Sequence, residues 1–247
     1  MRFGTQTKTD HSKPILKVEN LSYIFPDGRR ILTDISFEIR HGQKVAIIGG
    51  NGSGKSTLLM LINGLLTPSA GKILVNGVEV KRANREKIRE MVGLVFQNPD
   101  DQLFSRSVFD AVAFGLIIAG KNSDDVKKRV AHALESVHLA GNEDRNPFML
   151  SGGEKKKIAL ASAIATQPEL LLLDDPTIGL DAGIREELLK LFSEMKQTLL
   201  ITSQDLEMVA QLSERTLVMA GGYLIAEGNT QDILENHSLL LEQGLLA

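Results

Sequence analysis

The chain has no cysteine and no tryptophan in 247 residues, and only 4% of it is aromatic. Without cysteine there can be no disulfide, no thiolate metal site and no cysteine nucleophile, a composition that fits the cytosol. A surplus of positive charge is also missing: 28 Lys and Arg against 31 Asp and Glu give a formal net charge of −3. That offers no basic footprint for a duplex, so no nucleic acid is expected as a partner. No apolar run approaches the ~18 residues needed to cross a bilayer, and the longest, around Ala111–Ala119, is broken by Gly115. Residues 1–14 are polar, lack the apolar centre of an export signal and read as a flexible tail. The expectation is a soluble chain whose membrane connection, if it has one, runs through a partner.

What is there is ordinary globular material, 43% hydrophobic and 24% charged, enough for one domain spanning 15–247 with a substantial core. Ile35, Phe37 and Ile39 alternate with Ser36, Glu38 and Arg40, the period of a half-buried strand. Asn76-Gly77 sits between apolar alternations in Ile73–Val80 and signals a hairpin, because both turn positions need positive φ. Lys44–Ile48 reads as a short strand, Ser56–Leu66 as a helix and Met91–Phe96 as a further strand. The period then changes. Val126, Val130, Ala133, Leu134 and Val137 line one face of an amphipathic helix, with Ser123 as its expected N-cap and Asp124 and Asp125 in the first turn. Val108–Ala119 predicts a shorter helix, so residues about 99–157 form a helical insertion. Strands return at Leu170–Leu173, Thr198–Thr202, Thr216–Met219 and Tyr223–Ala226, the last two around Gly221-Gly222. Strands alternating with helices predict an α/β fold with a mostly parallel core sheet, preceded by an antiparallel β subdomain.

Three short stretches carry the chemistry. Gly49–Thr57 reads GGNGSGKST and fits G-x-x-x-x-G-K-[ST] between a strand and a helix. In that pattern the backbone of Gly49, Gly50, Asn51, Gly52, Ser53 and Gly54 cradles phosphates, Lys55 reaches the terminal ones, and Ser56 holds Mg²⁺ beside Thr57. Leu170–Thr177, LLLLDDPT, ends a leucine run on Asp174, a hard carboxylate suited to the same cation. Between them, Leu150–Glu154 reads LSGGE, and Ser151, Gly152 and Gly153 open a helix with exposed amides. Lys155, Lys156 and Lys157 follow and read as a solvated helix face.

In this order the three stretches resemble the nucleotide-binding domain of ABC ATPases, a P-loop NTPase fold that uses ATP and Mg²⁺. The resemblance implies that Ser151, Gly152, Gly153 and Glu154 serve the γ-phosphate of ATP held by an opposite subunit, in a head-to-tail dimer. Asp181, in Ile178-Gly179-Leu180-Asp181, matches the D-loop that crosses that interface. Gln97 resembles the Q-loop glutamine, which touches Mg²⁺ and water. Phe25 takes the place of the aromatic that stacks on adenine; it and Tyr23, two residues away, could equally be core. The string Asn98–Phe104 is similar to that of energy-coupling-factor importers, including cobalt and nickel members. This implies that Pro99–Phe104 lies where a transmembrane subunit docks on the cytoplasmic face of the membrane. A separate membrane subunit would bind the substrate. Asp100 and Asp101 would suit basic residues on the docking partner.

Two positions depart from the family pattern. Asp175 stands where a glutamate polarises the attacking water, and Gln204 stands where a histidine contacts the γ-phosphate. Asp175 is one methylene short, and a retreat of about 1 Å can lower the rate roughly 10²-fold. Glutamine can donate a hydrogen bond but carries no proton near neutral pH. His11, His41, His132, His138 and His237 match no motif that would replace it and are expected at the surface or in the core. Two readings follow: a slowly hydrolysing homodimer, or a heterodimer in which this chain's LSGGE serves a complete partner site. Rival functions are a soluble ABC ATPase outside transport and a non-hydrolysing nucleotide sensor.

Overall fold

The computed structural model describes residues 13–246. The expected tail at residues 1–14, with His11, lies outside them except for Lys13 and Pro14, and Pro14 already opens the first strand. In chain order, β1 (Pro14–Ile24) and β2 (Arg30–Arg40) precede β3 (Lys44–Ile48), α1 (Lys55–Ile62), β4 (Ala70–Val75) and β5 (Val78–Glu79). Then come α2 (Arg85–Met91) and β6 (Val92–Val95), followed by α3 (Val108–Ile118), α4 (Ser123–Ser136) and α5 (Gly152–Ala165). The remainder is β7 (Leu170–Asp174), α6 (Ala182–Glu194), β8 (Thr198–Ser203), α7 (Leu206–Leu212), β9 (Arg215–Ala220), β10 (Tyr223–Asn229), α8 (Thr230–Glu235) and α9 (His237–Glu242). No helix among the described residues is long and apolar enough to cross a membrane.

Two sheets form. An antiparallel sheet has the order β2-β1-β4-β5, and a six-stranded sheet has the order β10-β9-β3-β8-β7-β6. Every neighbouring pair in the second sheet is parallel except β10 with β9. The expected α/β arrangement is therefore present, with the antiparallel sheet at the N-terminal end and only helices between β6 and β7.

The leucine run explains how the layers join. Leu170 and Leu172 of β7 pack into the core shared with the antiparallel sheet, beside Ile15, Val45, Ile47 and Leu58. Leu171 and Leu173 point the other way, into the core under α3, α4 and α5. A strand buried on both faces reads as an unbroken apolar run, and each such side chain contributes about 1.5–3 kcal/mol by leaving water. Asp174 is the first polar residue of the run, at the strand's carboxyl end.

Local chemistry sets the remaining details. Asn76 and Gly77 have φ of 47° and 73°, as the hairpin required, and Val75 pairs with Val78 across them. α1 stops at Ile62, four residues before the expected Leu66. Gly64 turns left-handed there, at φ 77°. Leu65 N–H then reaches Met60 O at 2.9 Å and Gly64 N–H reaches Leu61 O at 3.1 Å, a Schellman stop. The cap of α4 is Asn122, not Ser123: its side chain accepts from Asp125 N–H at 3.0 Å, which leaves Ser123 as the first helical residue. Met91 closes α2, so the strand expected from Met91 to Phe96 is only Val92–Val95.

Candidate active site

β3, β8, β7 and β6 lie side by side and parallel, so their carboxyl ends open on one edge of the sheet, where α/β folds bind ligands. The glycine loop leaves β3 there and enters α1. At Gly54 φ is 101°, and an added Cβ would lie 2.6 Å from Leu32 Cδ2, so only glycine fits without strain. α1 has neither a side-chain cap nor an acidic residue in its first turn. Its first N–H groups therefore lack partners and favour an anion.

Lys55 is 6% exposed and folds back over the loop. Its ammonium donates to Gly49 O at 2.7 Å, Gly50 O at 3.1 Å and Ser53 Oγ at 3.4 Å. Burial pulls its pKa below the ordinary lysine value, and the charges of Asp175 and Asp174 oppose that pull. Asp174, 4% exposed, accepts from Thr202 Oγ1 at 2.6 Å, and among the described residues no donor reaches its other oxygen. Asp175, 8% exposed, has a left-handed backbone at φ 41°. Its N–H donates to Thr202 O at 3.0 Å, and its Oδ1 accepts from Gln204 N–H at 3.3 Å. Burial raises the pKa of Asp175; the Lys55 charge opposes this, and Asp174 adds to it.

Gln204 follows β8, and its side-chain amide donates to Asn51 Oδ1 at 2.6 Å, closing the strand end onto the phosphate loop. The sequence carried no sign of that bond, nor of Thr202 as the partner of Asp174. Gln97 is exposed just past β6. Val95 pairs with Leu173, so Gln97 and Asp175 leave the sheet at the same level on adjacent strands. Lys55, Asp174, Asp175, Asn51 and Gln204 are thus brought together, with Gln97 alongside.

The other expected residues lie apart from this cluster. Tyr23 is core, whereas Phe25 is half-buried, edge-on to Tyr23 at 5.4 Å. The Arg29 guanidinium covers one face of Phe25 at 5.3 Å. Ser151 caps α5: its Oγ accepts from Glu154 N–H at 3.2 Å, and Glu154 Oε2 accepts from Ser151 N–H at 2.9 Å. Glu154 also pairs with Arg145 at 2.8 Å. Its carboxyl is held below the usual range, first by the Ser151 backbone N–H. The negative charge at this helix end is therefore compensated, and Ser151 and Gly152 are exposed. Gly153 is buried against α6, where an added Cβ would fall 2.2 Å from Ile184 Cδ1. Asp181 is exposed and caps α6 through Ile184 N–H at 3.0 Å. Among the described histidines, His132, His138 and His237 are exposed and His41 is half-buried.

The three lysines are not a solvated face, contrary to expectation. Successive helix positions turn by about 100°, so the side chains fan out: Lys155 pairs with Asp100 at 2.8 Å, Lys156 reaches main-chain carbonyls after β7, and Lys157 pairs with Glu187 on α6. Asp100 is accordingly engaged within the chain.

Chemically, the crevice offers amides and one ammonium to phosphates, and a carboxylate and a hydroxyl to a divalent cation. The free oxygen of Asp174 and the Ser56 hydroxyl in the first turn of α1 suit Mg²⁺, which takes one or two protein oxygens and completes its shell with phosphate and water.

A prediction follows from Asp175. A carboxyl whose folded pKa is raised holds its proton in the folded state at pH values where the unfolded chain has lost it, so stability falls as pH rises from about 3.8 through the raised value. Asp175→Asn, which also tolerates positive φ, should therefore raise the Tm of the nucleotide-free protein at pH 7. The gain should shrink as pH falls from the raised value toward about 3.8 and be lost below it. A lower Tm at pH 7 would contradict this account of the buried charge.

Comparison with known proteins agrees with the geometry. A family model described as ABC transporter matches residues 32–178. The energy-coupling factor transporter ATP-binding protein EcfA of Methanothermobacter thermautotrophicus is 43% identical over 94% of this chain and 76% of its own length. The cobalt import ATP-binding protein CbiO of Rhodobacter capsulatus is 40% identical over 94% of this chain and 85% of its own. The solved structure of cbiO1 from Clostridium perfringens, part of the ABC transporter complex cbiONQ, superimposes with a TM-score of 0.81 at 38% identity, covering 94% of this chain and 95% of that one. With a matching family model, close relatives and the phosphate crevice in agreement, this chain belongs to the ABC transporter family, as one of its ATP-binding, ATP-hydrolysing cassettes.

Proposed function

We propose that this cassette drives an importer of the energy-coupling-factor type, moving a small ligand such as a vitamin or transition-metal ion through partner membrane subunits. The convergence of Lys55, Asp174, Asp175 and Gln204 on one crevice carries the reading. The names of the relatives, energy-coupling factor and cobalt import, support the transport class.

In this reading the amides of Gly49–Thr57 and Lys55 bind the phosphates of ATP, and adenine stacks on Phe25 once Arg29 yields. Ser56, Asp174 and Gln97 surround Mg²⁺, which supplies charge neutralisation at the phosphates. Asp175 orients the water, and Gln204 donates to the γ-phosphate after releasing Asn51. Ser151, Gly152, Gly153, Glu154 and Asp181 lie outside the crevice and serve the nucleotide of a second, head-to-tail subunit, either a copy of this chain or a different ATPase. Restoring the longer base and the ionisable ring in Asp175→Glu with Gln204→His should raise ATP turnover by roughly 10²-fold. Unchanged turnover would mean that these two side chains do not limit the rate.

The docking face changes character from the sequence expectation. Asp100 is paired with Lys155, which leaves exposed Asp101 as the acidic contact. Beside it lies an apolar patch: Phe104 is 63% exposed and stands edge-on to Phe114 at 4.8 Å, and Ile117 and Ile118, one turn after Phe114 on α3, are exposed as well. Sequence reasoning placed Phe104 here but missed Phe114, which helix α3 brings alongside. The occupant that fits is an apolar helical segment of the transmembrane subunit bearing a basic residue, with the whole complex on the cytoplasmic face of the membrane. Phe104→Asp with Phe114→Ser should abolish co-purification with membrane subunits while sparing ATP binding. Intact complexes would rule out this docking face.

A further inference from the structure

We propose that Lys156 is a positioning residue that ties the D-loop to the signature helix of the same chain, so that nucleotide at the phosphate loop moves both together. Lys155 and Lys157 end on carboxylates, but Lys156 ends on backbone. From the second turn of α5, five residues after Ser151, its ammonium donates to Ile178 O and, at 3.4 Å, to Pro176 O. Both carbonyls belong to the loop that begins at Asp175 and ends at Asp181.

The loop's other firm anchors are at its ends, where Asp175 N–H donates to Thr202 O at 3.0 Å and Asp181 Oδ1 accepts from Ile184 N–H at 3.0 Å. Its own hydrogen bonds are long: Ile178 N–H to Asp175 O at 3.3 Å and Leu180 N–H to Thr177 O at 3.3 Å. Thr177 Oγ1 meets Asp205 Oδ2 only at 3.5 Å. Asp175 opens the stretch with a left-handed backbone at φ 41°, Gly179 turns left-handed at φ 74° further along, and Ile178 is exposed. A segment with one strained residue and weak internal bonds depends on outside contacts for the position of its middle. Lys156 supplies such a contact, and because it grips main-chain carbonyls it fixes the loop whatever side chains the loop bears.

Charge links the same lysine to the chemistry. Burial lowers the pKa of Lys156, and the Asp175 carboxylate opposes this; in return Lys156 lowers the pKa of Asp175. The lysine thus spans the end of β7, where this chain's own nucleotide sits, and the helix whose N-terminus faces a second subunit. The consequence for a second nucleotide rests on the head-to-tail dimer proposed above, whereas the tether itself does not.

The test is amide hydrogen exchange on the full chain with and without Mg-ATP, at a concentration where sedimentation shows a monomer. In the wild type, Mg-ATP should slow exchange both in residues 174–181 and in residues 151–157. Lys156→Met should keep the first protection and lose the second, and Lys156→Arg, which still donates to carbonyls, should keep both. Should Lys156→Met fail to fold, Lys156→Gln, with a shorter amide donor, is expected to lose part of the second protection. A residue that only packs would lower Tm in Lys156→Met or Lys156→Gln and leave both protections in place, and that result overturns the proposal. The proposal also falls if the wild type shows no protection in 151–157. Sedimentation at high concentration with ATP tests the dimer separately, since its absence would remove the head-to-tail reading without altering the exchange result.

Discussion

One ammonium and two carboxylates must stay buried at the end of an apolar sheet, and the architecture around the crevice follows from that constraint. Isolated buried charges are costly; Lys55 is offset by the two carboxylates, while Asp174 and Asp175, which repel each other, are held by Lys55 and by fixed hydrogen-bond partners. Carbonyls of the glycine loop take up the ammonium protons of Lys55, and Thr202 and the Gln204 backbone each donate to one carboxylate oxygen. β7 is apolar up to Asp174, and the charged groups cluster at the carboxyl ends of the strands. In the proposed reading, Lys55 would exchange these carbonyls for phosphate oxygens.

Asp175 shows how local backbone and function meet. Its left-handed φ and its two bonds to β8 fix the carboxylate against the strand end. A shorter acid held this way points toward Gln204, and Gln204 points toward Asn51. The two departures from the family pattern therefore lie side by side, Asp175 bonded to Gln204 and Gln204 to the phosphate loop, which makes them one altered unit rather than two independent losses.

Much of this was legible in the sequence where the signal was local. The phosphate loop, the Asn76-Gly77 turn and the stripe from Val126 to Val137 depend on spacing and turn chemistry within a few residues, and each stands where spacing placed it. The end of α1 at Gly64 and the cap at Asn122 were equally local, but neighbouring residues of similar propensity competed for those roles. What spacing could not reveal was which element a side chain meets. Lys155, Lys156 and Lys157 look like a solvated run until α5 is packed between the segment after β6, the loop after β7, and α6. Asp100 looks free for a partner until Lys155 is beside it. The Asn51–Gln204 bond joins residues 153 positions apart and exists only because β3 and β8 are neighbours.

The central claim, that this balanced crevice is the ATP site, is tested most directly by the Tm of Lys55→Ala with and without Mg-ATP. A ligand at 100 times its Kd stabilises a folded protein by about 2.7 kcal/mol, so the wild type should show a clear rise in Tm. Lys55→Ala should fold and show no rise. A rise equal to that of the wild type would place ATP elsewhere and contradict the account.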